Sequence, residues 1–187
     1  GTRLFCISGR VKKPGVYELP MGIPLMTIIQ DVCGGMQAGY ALKAVIPGGA
    51  SSTVLTAKEC EKTTMDFECL ASMNSMLGSG AVIIIDDKQS IVNLAKVKSS
   101  FFHHVSCGQC TPWREGTGWM EKVLHKIENG HGHASQIELL KSVAKYIDGN
   151  TICPLGDAAA RPGTSAILHF KDECEHHIKH PALAKKT

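Results

Sequence analysis

The chain has 187 residues and a formal net charge of +3, from 20 lysines and arginines against 17 aspartates and glutamates. Hydrophobic residues make up 43% and charged residues 20%, which is ordinary for a globular protein and excludes a disordered or collagen-like chain. The longest aliphatic run, residues 81–85, is far shorter than the roughly 20 residues of a membrane-spanning helix. Because the charge is weak and follows no basic stripe, we expect no nucleic-acid partner. Because the longest aliphatic run is short, we expect no direct membrane insertion.

Residues 1–88 have the pattern of a small domain of mixed α and β structure. Pro14-Gly15 suits the centre of a type II turn and predicts a hairpin between the strands that flank it. A helix is predicted over 23–32, where apolar side chains recur at helical spacing, and Gly34-Gly35 would end it. The last strand is continuously apolar, as expected of a strand covered on both faces, and the whole set predicts a β-grasp-like domain. The strands are predicted at 4–8, 16–19, 44–46, 53–55 and 81–86.

Residues 89–187 change to helical periodicity, beginning with an amphipathic helix at 90–105. Thr111 is predicted to cap the next helix, and Ser135 the one after it. Pro162 is predicted to open the last helix, and the tail at 182–187 to be frayed. Because short loops favour antiparallel neighbours, this half is predicted to be an antiparallel helical bundle and the fold class α+β.

Eight cysteines are the unusual feature of the composition. A chain of this length can build a core without disulfides, so we expect a reducing compartment and cysteines that bind a metal or a cluster. The chain starts at Gly1 without a methionine and enters a strand almost at once, which predicts that it is a piece of a longer protein. The cysteines stand at positions 6, 33, 60, 69, 107, 110, 153 and 174.

Three of these cysteines have the arrangement of a metal site. Cys107 and Cys110 form a Cys-x-x-Cys pair just before a predicted helix, whose N-terminus would offer free N–H groups and a positive dipole end to anionic thiolates. Cys153, predicted at the turn between two later helices, can close the site. Arg114 either offsets the charge of the site or lies on an exposed helix face. Spacing alone leaves three alternatives open: a zinc ion, an iron–sulfur cluster, and buried or redox-active thiols.

The other cysteines and the histidines are predicted to have structural roles. Cys174 lies on the apolar stripe of the last predicted helix and is interpreted as a core thiol, as are the four cysteines of the first half. His103 and His104 are expected to be solvated or to cap a helix. Trp119 and Met120 continue an apolar stripe and are predicted to be core residues. Surface positions are expected for His131, His133, His176, His177 and His180.

Separated blocks of the sequence carry a family resemblance. Ser-Cys-Gly-Gln-Cys-Thr-Pro at 106–112, Arg-Glu-Gly-Thr-Gly-Trp at 114–119 and Thr-Ile-Cys-Pro-Leu-Gly-Asp-Ala-Ala-Ala at 151–160 resemble, in this order, the C-terminal part of the NADH-binding flavoprotein subunit of respiratory complex I. The resemblance runs from about residue 4 to 178. Upstream, the chain is similar to the β-grasp (SLBB) domain of the same family at 5–9, 13–15, 44–49, 65–67 and 77–82.

The resemblance implies an SLBB domain over 1–88, a helical domain over 89–187 that holds a [4Fe–4S] cluster, and an N-terminal flavin and NADH domain absent from this chain. It implies that FMN takes a hydride from NADH and that electrons pass through the cluster toward quinone. Catalysis would then belong to the parent NADH:quinone oxidoreductase rather than to this chain alone. The implied partners are other complex I subunits, notably the neighbouring 24 kDa-type [2Fe–2S] subunit. The implied location is peripheral, on the cytoplasmic side of the bacterial inner membrane or the mitochondrial matrix side; diaphorase subunits of hydrogenases and formate dehydrogenases share the motif.

One position departs from the family pattern. The third cysteine of Ser-Cys-Gly-x-Cys-x-x-Cys-Arg is Trp113 in this chain. The resemblance therefore gives Cys107, Cys110 and Cys153 as cluster ligands without a fourth, because an indole N–H can only donate. Three outcomes stay open: a three-cysteine [3Fe–4S] or site-differentiated cluster, a non-cysteine fourth ligand, or no cluster. The alternative function is a non-redox interaction module whose cluster site is lost or holds zinc.

Overall fold

A computed structural model of the protein describes residues 1–180, so the predicted fraying at 182–187 lies outside the described residues. The chain divides into two compact units, the first from Gly1 to Lys88 and the second from Gln89 onwards. Within the described residues, no helix is both long enough and apolar enough to cross a bilayer.

The first unit is built on a mixed five-stranded sheet with strand order β2-β1-β5-β3-β4. The central pair, β1 and β5, is parallel, and each remaining pair is antiparallel. Side chains alternate along β1, where Phe5 and Ile7 are buried while Leu4 and Cys6 are exposed, as the period of two in a strand requires. The strands are β1 (Thr2–Gly9), β2 (Gly15–Pro20), β3 (Leu42–Ile46), β4 (Leu55–Thr56) and β5 (Ala81–Asp86).

Three short helices cover the buried face of this sheet. The first, α1 (Leu25–Thr27), continues into a π-helical segment, Ile28–Val32, and the others are α2 (Ala57–Cys60) and α3 (Phe67–Ser72). Leu25 and Ile28 are fully buried in the same cluster as Phe5, so the hydrophobic pattern of the helix is what attaches it to the sheet.

The predicted elements of this unit are largely confirmed, and the α+β fold class is confirmed. The type II turn is wrong: Gly15 lies inside β2 and the chain leaves β1 at Gly9, where φ is +107°. Glycine is needed there because a Cβ would stand 2.0 Å from the carbonyl oxygen of Ile84. The strand predicted at 53–55 is displaced to β4, and β5 is covered unevenly, since Ile83 is only half-buried.

The second unit is a helical bundle. Four helices each pack against two neighbours, α4 against α5 and α7, and α6 against the same two, with short loops between consecutive helices. A fifth helix packs on α4, α5 and α7. Short loops favour antiparallel packing of consecutive helices, which is the arrangement predicted for this bundle. The helices are α4 (Ile91–His104), α5 (Thr111–Glu128), α6 (Ser135–Ile147), α7 (Leu155–His169) and α8 (Lys171–Lys179).

Three predicted helix starts are wrong. Pro162 lies inside α7, which begins at Leu155, because the run of alanines ahead of the proline favours helix and the buried proline packs into the bundle. Cys110 rather than Thr111 is the N-cap of α5. Ser135 is the first residue of α6 and its side chain makes no capping bond, since His133 binds its hydroxyl at 2.9 Å.

Two side-chain placements also differ from expectation. Met120 is buried as predicted, but Trp119 is 55% exposed, because it lies on the side of α5 that borders the open groove beside α6. His177 is predicted at the surface, yet it is 8% exposed, with Nε2 3.4 Å from the buried carboxylate of Glu128. Nε2 of His177 is buried beside this carboxylate without making a hydrogen bond within the described residues.

Candidate metal centre

Cys107 and Cys110 lie on the loop between α4 and α5. Gly108 stands between them with φ of +77°, a conformation that glycine adopts without strain. Its N–H donates to Ser106 Oγ at 3.2 Å, and its carbonyl accepts from Arg114 Nη1 at 2.7 Å. The loop that carries the two thiols is therefore held by hydrogen bonds of its own.

The N-terminus of α5 is directed at this loop. Cys110 is the N-cap residue of this 18-residue helix, so its thiol lies where the first backbone N–H groups are unpaired. The positive end of the helix dipole and the guanidinium of Arg114 both favour negative charge at this position. Arg114 also pairs with Glu115 at 2.9 Å, so part of its charge is already compensated. Arg114 lies on an exposed face of α5, with its side chain 45% exposed, and its guanidinium also donates to the Gly108 carbonyl.

Cys153 lies on the loop between α6 and α7, two residues before α7 begins. Its carbonyl accepts from Thr151 Oγ1 at 2.8 Å and from the Gly156 N–H at 3.3 Å. Gly156 is required by close packing, because a Cβ there would stand 2.3 Å from Thr151 Cγ2. The backbone around Cys153 is thus a tight turn that presents its thiol half-exposed.

The two cysteine loops lie at the same end of the bundle. The start of α5 and the segment after α6 meet in one groove, lined by Thr111 from the first and Asn150 from the second. The chain therefore brings Cys107, Cys110 and Cys153 to one end of the bundle.

The family's third cysteine position is occupied by a core residue. Trp113 is 3% exposed, and its Nε1–H donates to the carbonyl of Phe102 in the last turn of α4 at 3.1 Å. The hydroxyl of Thr117 donates to the Trp113 carbonyl at 2.8 Å. The indole therefore joins α4 to α5, and it has neither a lone pair nor the freedom to serve as a ligand.

The other five cysteines lie away from these two loops and differ from one another in burial. Burial raises the pKa of the Cys60 thiol to about 12 and also raises that of Cys33, so both stay protonated and unreactive. Cys174 is buried as well, so the core role of these three is confirmed. It is wrong for Cys6, which is exposed on the open face of β1. Cys69 is half-buried, and its sulfur accepts from the Thr64 N–H at 3.3 Å.

A half-exposed ion pair lies near this end, and no sequence pattern predicts it. His103 Nδ1 lies 2.6 Å from Glu121 Oε2, and Ser100 Oγ donates to the other carboxylate oxygen at 2.7 Å. These hydrogen bonds and the His103 charge lower the pKa of Glu121. Helix periodicity places both partners on facing sides of α4 and α5, but the sequence gives no signal for which histidine faces a carboxylate.

The residues present do not make a complete four-cysteine set, because Trp113 occupies the third cysteine position of the family pattern. In the described part of the chain, no three side chains of His, Cys, Asp or Glu are grouped closely enough to hold one metal ion. An iron–sulfur cluster spreads its thiolates over several iron atoms, whereas zinc gathers its thiolates at about 2.3 Å from a single ion. The three thiols, as placed, therefore do not form a single-ion zinc site.

The fold is a unit built on a mixed five-stranded sheet followed by a helical bundle whose loops carry Cys107, Cys110 and Cys153. Residues 3–85 match the SLBB domain family, and residues 93–177 match the family described as the NADH-ubiquinone oxidoreductase-F iron-sulfur binding region. Over nearly its whole length the chain is similar to the F subunits of NADH-quinone oxidoreductase, and it corresponds to their C-terminal part.

Two relatives and one solved structure illustrate the match. The chain is 49% identical over 179 residues to the F 2 subunit of NADH-quinone oxidoreductase from Rhizobium meliloti, covering 96% of this chain and 42% of the relative. It is 48% identical over 185 residues to the F subunit of the same enzyme from Rickettsia typhi, covering 98% and 44%. A crystal structure of an NAD⁺-reducing [NiFe]-hydrogenase in the H₂-reduced state matches 95% of this chain and 30% of the hydrogenase chain, with a TM-score of 0.83 and 31% identity. The chain thus spans less than half the length of these relatives.

Proposed function

We propose that this chain is the electron-transfer portion of a flavoprotein subunit of NADH:quinone oxidoreductase. The observation that carries the proposal is the pair Cys107 and Cys110, presented as free thiols at the N-terminus of α5 inside the matched iron–sulfur binding region. Such a centre, when bound, supplies one-electron transfer. The chain itself contributes the thiolates, a positive helix end and a preformed loop.

The ligands that we propose are Cys107, Cys110 and Cys153. Arg114 holds the loop that carries Cys107 and Cys110 through its hydrogen bond to the Gly108 carbonyl. Trp113 closes the fourth position with a buried indole, so the proposed cluster has three protein thiolates, of the [3Fe–4S] type. This differs from the [4Fe–4S] cluster expected for a complete four-cysteine set.

The remaining features of the parent enzyme are proposed from the family. FMN and NADH would bind in the part of the flavoprotein subunit that relatives have beyond the matched residues. Electrons would pass from the flavin through the proposed cluster to the other subunits, including the 24 kDa-type [2Fe–2S] subunit. The proposed location is the cytoplasmic side of the bacterial inner membrane, or the matrix side in a mitochondrion.

Metal analysis of the anaerobically purified chain tests this proposal. We expect iron and acid-labile sulfide in about a 3:4 ratio together with an EPR signal of the oxidised cluster. Cys153→Ser should lose the iron, whereas Cys6→Ser, a change at an equally free thiol outside the site, should keep it. Trp113→Cys supplies the missing thiolate and should raise the iron content by about one atom. A folded chain that contains zinc alone, or no metal, contradicts the electron-transfer proposal.

A second candidate function is a non-redox interaction module. It is favoured by one observation: the indole of Trp113 fills the space between α4 and α5 and bonds to Phe102, so the bundle has a core and a fixed loop without any metal. The metal analysis separates the two functions, because a module of this kind keeps its helical fold at zero iron or with zinc.

A further inference from the structure

Two exposed histidines stand side by side at the C-terminal end of α8. His176 lies in the last turn of the helix and His180 is its C-cap residue. Residues four apart in a helix are neighbours on one face, and these two imidazole rings are stacked. Their centroids are 4.3 Å apart and their planes meet at 26°. The helix therefore holds a pair of imidazoles at the protein surface.

A hydrogen bond to the main chain orients one of the two rings. His180 Nδ1 lies 3.2 Å from the carbonyl oxygen of His176. Because a carbonyl oxygen only accepts, Nδ1 carries the proton of the neutral ring and Nε2 keeps its lone pair. Histidines that bind metals are held in this way, with one ring nitrogen donating to a carbonyl or carboxylate and the other directed at the ion. His180 thus has the tautomer of a metal ligand.

The separation of the rings suits one metal ion held between them. Zn–N bonds are about 2.0–2.1 Å long, so two nitrogens on one tetrahedral zinc lie roughly 3.3 Å apart. Rings whose centroids are 4.3 Å apart reach this separation by small rotations about their side-chain bonds. Two histidines at i and i+4 on one helix face are also the pair that binds zinc in helical metalloprotease motifs.

The protein supplies two ligands to such an ion. Across residues 1–180, no third side chain of His, Cys, Asp or Glu is grouped with these histidines closely enough to join them as a ligand. Water molecules would therefore complete the coordination, as expected for an exposed site. An ion with this ligand set exchanges readily with solvent, which distinguishes it from a structural zinc that is closed by four protein ligands.

The charges at this end of α8 favour a cation. The last carbonyl groups of a helix form the negative end of its dipole. Asp172 lies one turn before His176, on the same face. The lysines of the helix belong to a neighbouring stripe, where Glu175 lies 3.6 Å from Lys171 and 3.7 Å from Lys179. Both lysines are therefore paired with a carboxylate.

We propose that His176 and His180 form a surface site for a divalent transition-metal ion such as Zn²⁺, which imidazole binds in preference to Mg²⁺ or Ca²⁺. The bound ion joins the last turn of α8 to its C-cap. It thereby stabilises the helix in the folded protein, since it binds only when the two rings are adjacent. The site is on a different element from the three cysteines and does not depend on whether they hold a cluster.

Zinc titration of the whole chain at pH 8, followed by NMR of the histidine ring nitrogens, tests the proposal. We expect the Nε2 signals of His176 and His180 to shift together with added Zn²⁺ and to stay in place with Mg²⁺. The readout is local to these rings, so zinc taken up by the cysteines does not reproduce it. Absence of a shift at either ring in millimolar zinc, or an equal shift with Mg²⁺, overturns the proposal.

Substitutions test whether the two histidines act as one site. His180→Ala should raise the zinc concentration at the midpoint of the His176 shift at least about tenfold, because the ion loses one of two linked ligands. His131→Ala is the control: this exposed histidine precedes Gly132, which packs on α8 near Ile178, and its loss should leave the midpoint unchanged. An unchanged midpoint in His180→Ala, or an equal rise in both variants, refutes the paired site.

Hydrogen exchange tests the effect of the ion on the helix. Zinc should slow exchange of the α8 amides in the parent chain and in His131→Ala, but not in His180→Ala. Because both substituted side chains are exposed, circular dichroism should show the same helix content for each variant without metal. Equal slowing in the parent chain and His180→Ala would show that zinc acts at another site, and no slowing in the parent chain would show that the ion does not stabilise α8.

Discussion

Trp113 is the residue at which this chain departs most clearly from its family. A cysteine at this position would be a ligand, but the indole is a structural link between two helices, buried to 3% exposure and bonded to the Phe102 carbonyl. Where a cysteine would contact a metal, Trp113 instead makes a contact with α4 that forms when the chain folds. The cysteine loop is also held by a hydrogen bond from Arg114 to the Gly108 carbonyl.

The structural role of Trp113 predicts a loss of stability when only its hydrogen bond is removed. Trp113→Phe keeps most of the buried ring but leaves the Phe102 carbonyl without this donor, so the free energy of unfolding should fall by about 1–3 kcal/mol. Urea denaturation of the chain followed by circular dichroism measures the change. Trp119→Phe is the control: this ring is 55% exposed, so its effect should stay within about 0.5 kcal/mol. Equal effects at the two positions would contradict the assigned role.

Lys98 provides a second prediction at the level of one side chain, this time in pH dependence. It is 6% exposed on the buried face of α4, and desolvation lowers its pKa from 10.5 to about 7. Between these two values the unfolded chain binds more protons than the folded chain, so the stability of the protein should rise with pH. Below about pH 7 both states are protonated and the cost of burying the charge is at its full value.

Lys98→Met should therefore be more stable than the parent chain at pH 6, and the difference should shrink as the pH rises toward 10. The slope should not exceed about 1.4 kcal/mol per pH unit, the contribution of one proton. Urea denaturation at pH 6, 8 and 10 measures it. Lys126→Met, at an exposed position of α5, is the control and should show no comparable trend. A parent chain whose stability relative to the Lys98 variant falls with pH would reverse the sign and refute the prediction.

Among the elements, α5 combines the most constraints. Its N-terminus carries Cys110, its first turns contact α4 through Trp113, and its Gly116 contacts α6. A glycine inside a helix costs about 1 kcal/mol relative to alanine, so a reason for Gly116 must lie in packing. That reason is Ile147, which occupies the space where a Cβ would be.

Gly116→Ala should accordingly destabilise the bundle by about 1–3 kcal/mol, because overpacking against Ile147 exceeds the gain in helix propensity. It should also narrow the groove between α5 and α6. Gly163→Ala is a matched control in α7, where the new methyl group would stand 3.2 Å from the flexible end of Met120 and 3.8 Å, an ordinary contact distance, from Ser99 Oγ. We expect the control to change stability by less than about 1 kcal/mol. Thermal unfolding compares the two, and a stabilised Gly116 variant would refute the packing argument.

The limits of sequence-based prediction also lie in the elements. Strand β5 could be predicted from its continuous apolar run, and helix α4 from its apolar residues at helical spacing. The helix start predicted at Pro162 is wrong, because a proline can open a helix or pack inside one, depending on its tertiary contacts. The surface prediction for His177 is wrong for a similar reason: its partner Glu128 lies on another helix, and sequence spacing gives no information about that contact.

The site shows the same division. The three cysteines and the Trp113 departure could be read from spacing and family resemblance, because the motif lies within a short stretch. The contact of Arg114 with Gly108 and the 2.6 Å pair of His103 with Glu121 could not, because both depend on how the loop and the helices pack.

At the level of the whole molecule, the division into two compact units predicts independent folding. The sheet unit has its own core around Phe5 and Leu25, and the bundle has its own around residues such as Leu124 and Ile137. Segments 1–88 and 89–187 expressed separately should each keep the secondary structure that they have in the chain. Overlaid amide NMR spectra of the segments and the whole chain measure this. We expect most amide signals of segment 1–88 to coincide with those of the whole chain, and the isolated bundle to bind iron as the whole chain does. Collapse of either segment into an unfolded spectrum would show that its core depends on the other unit.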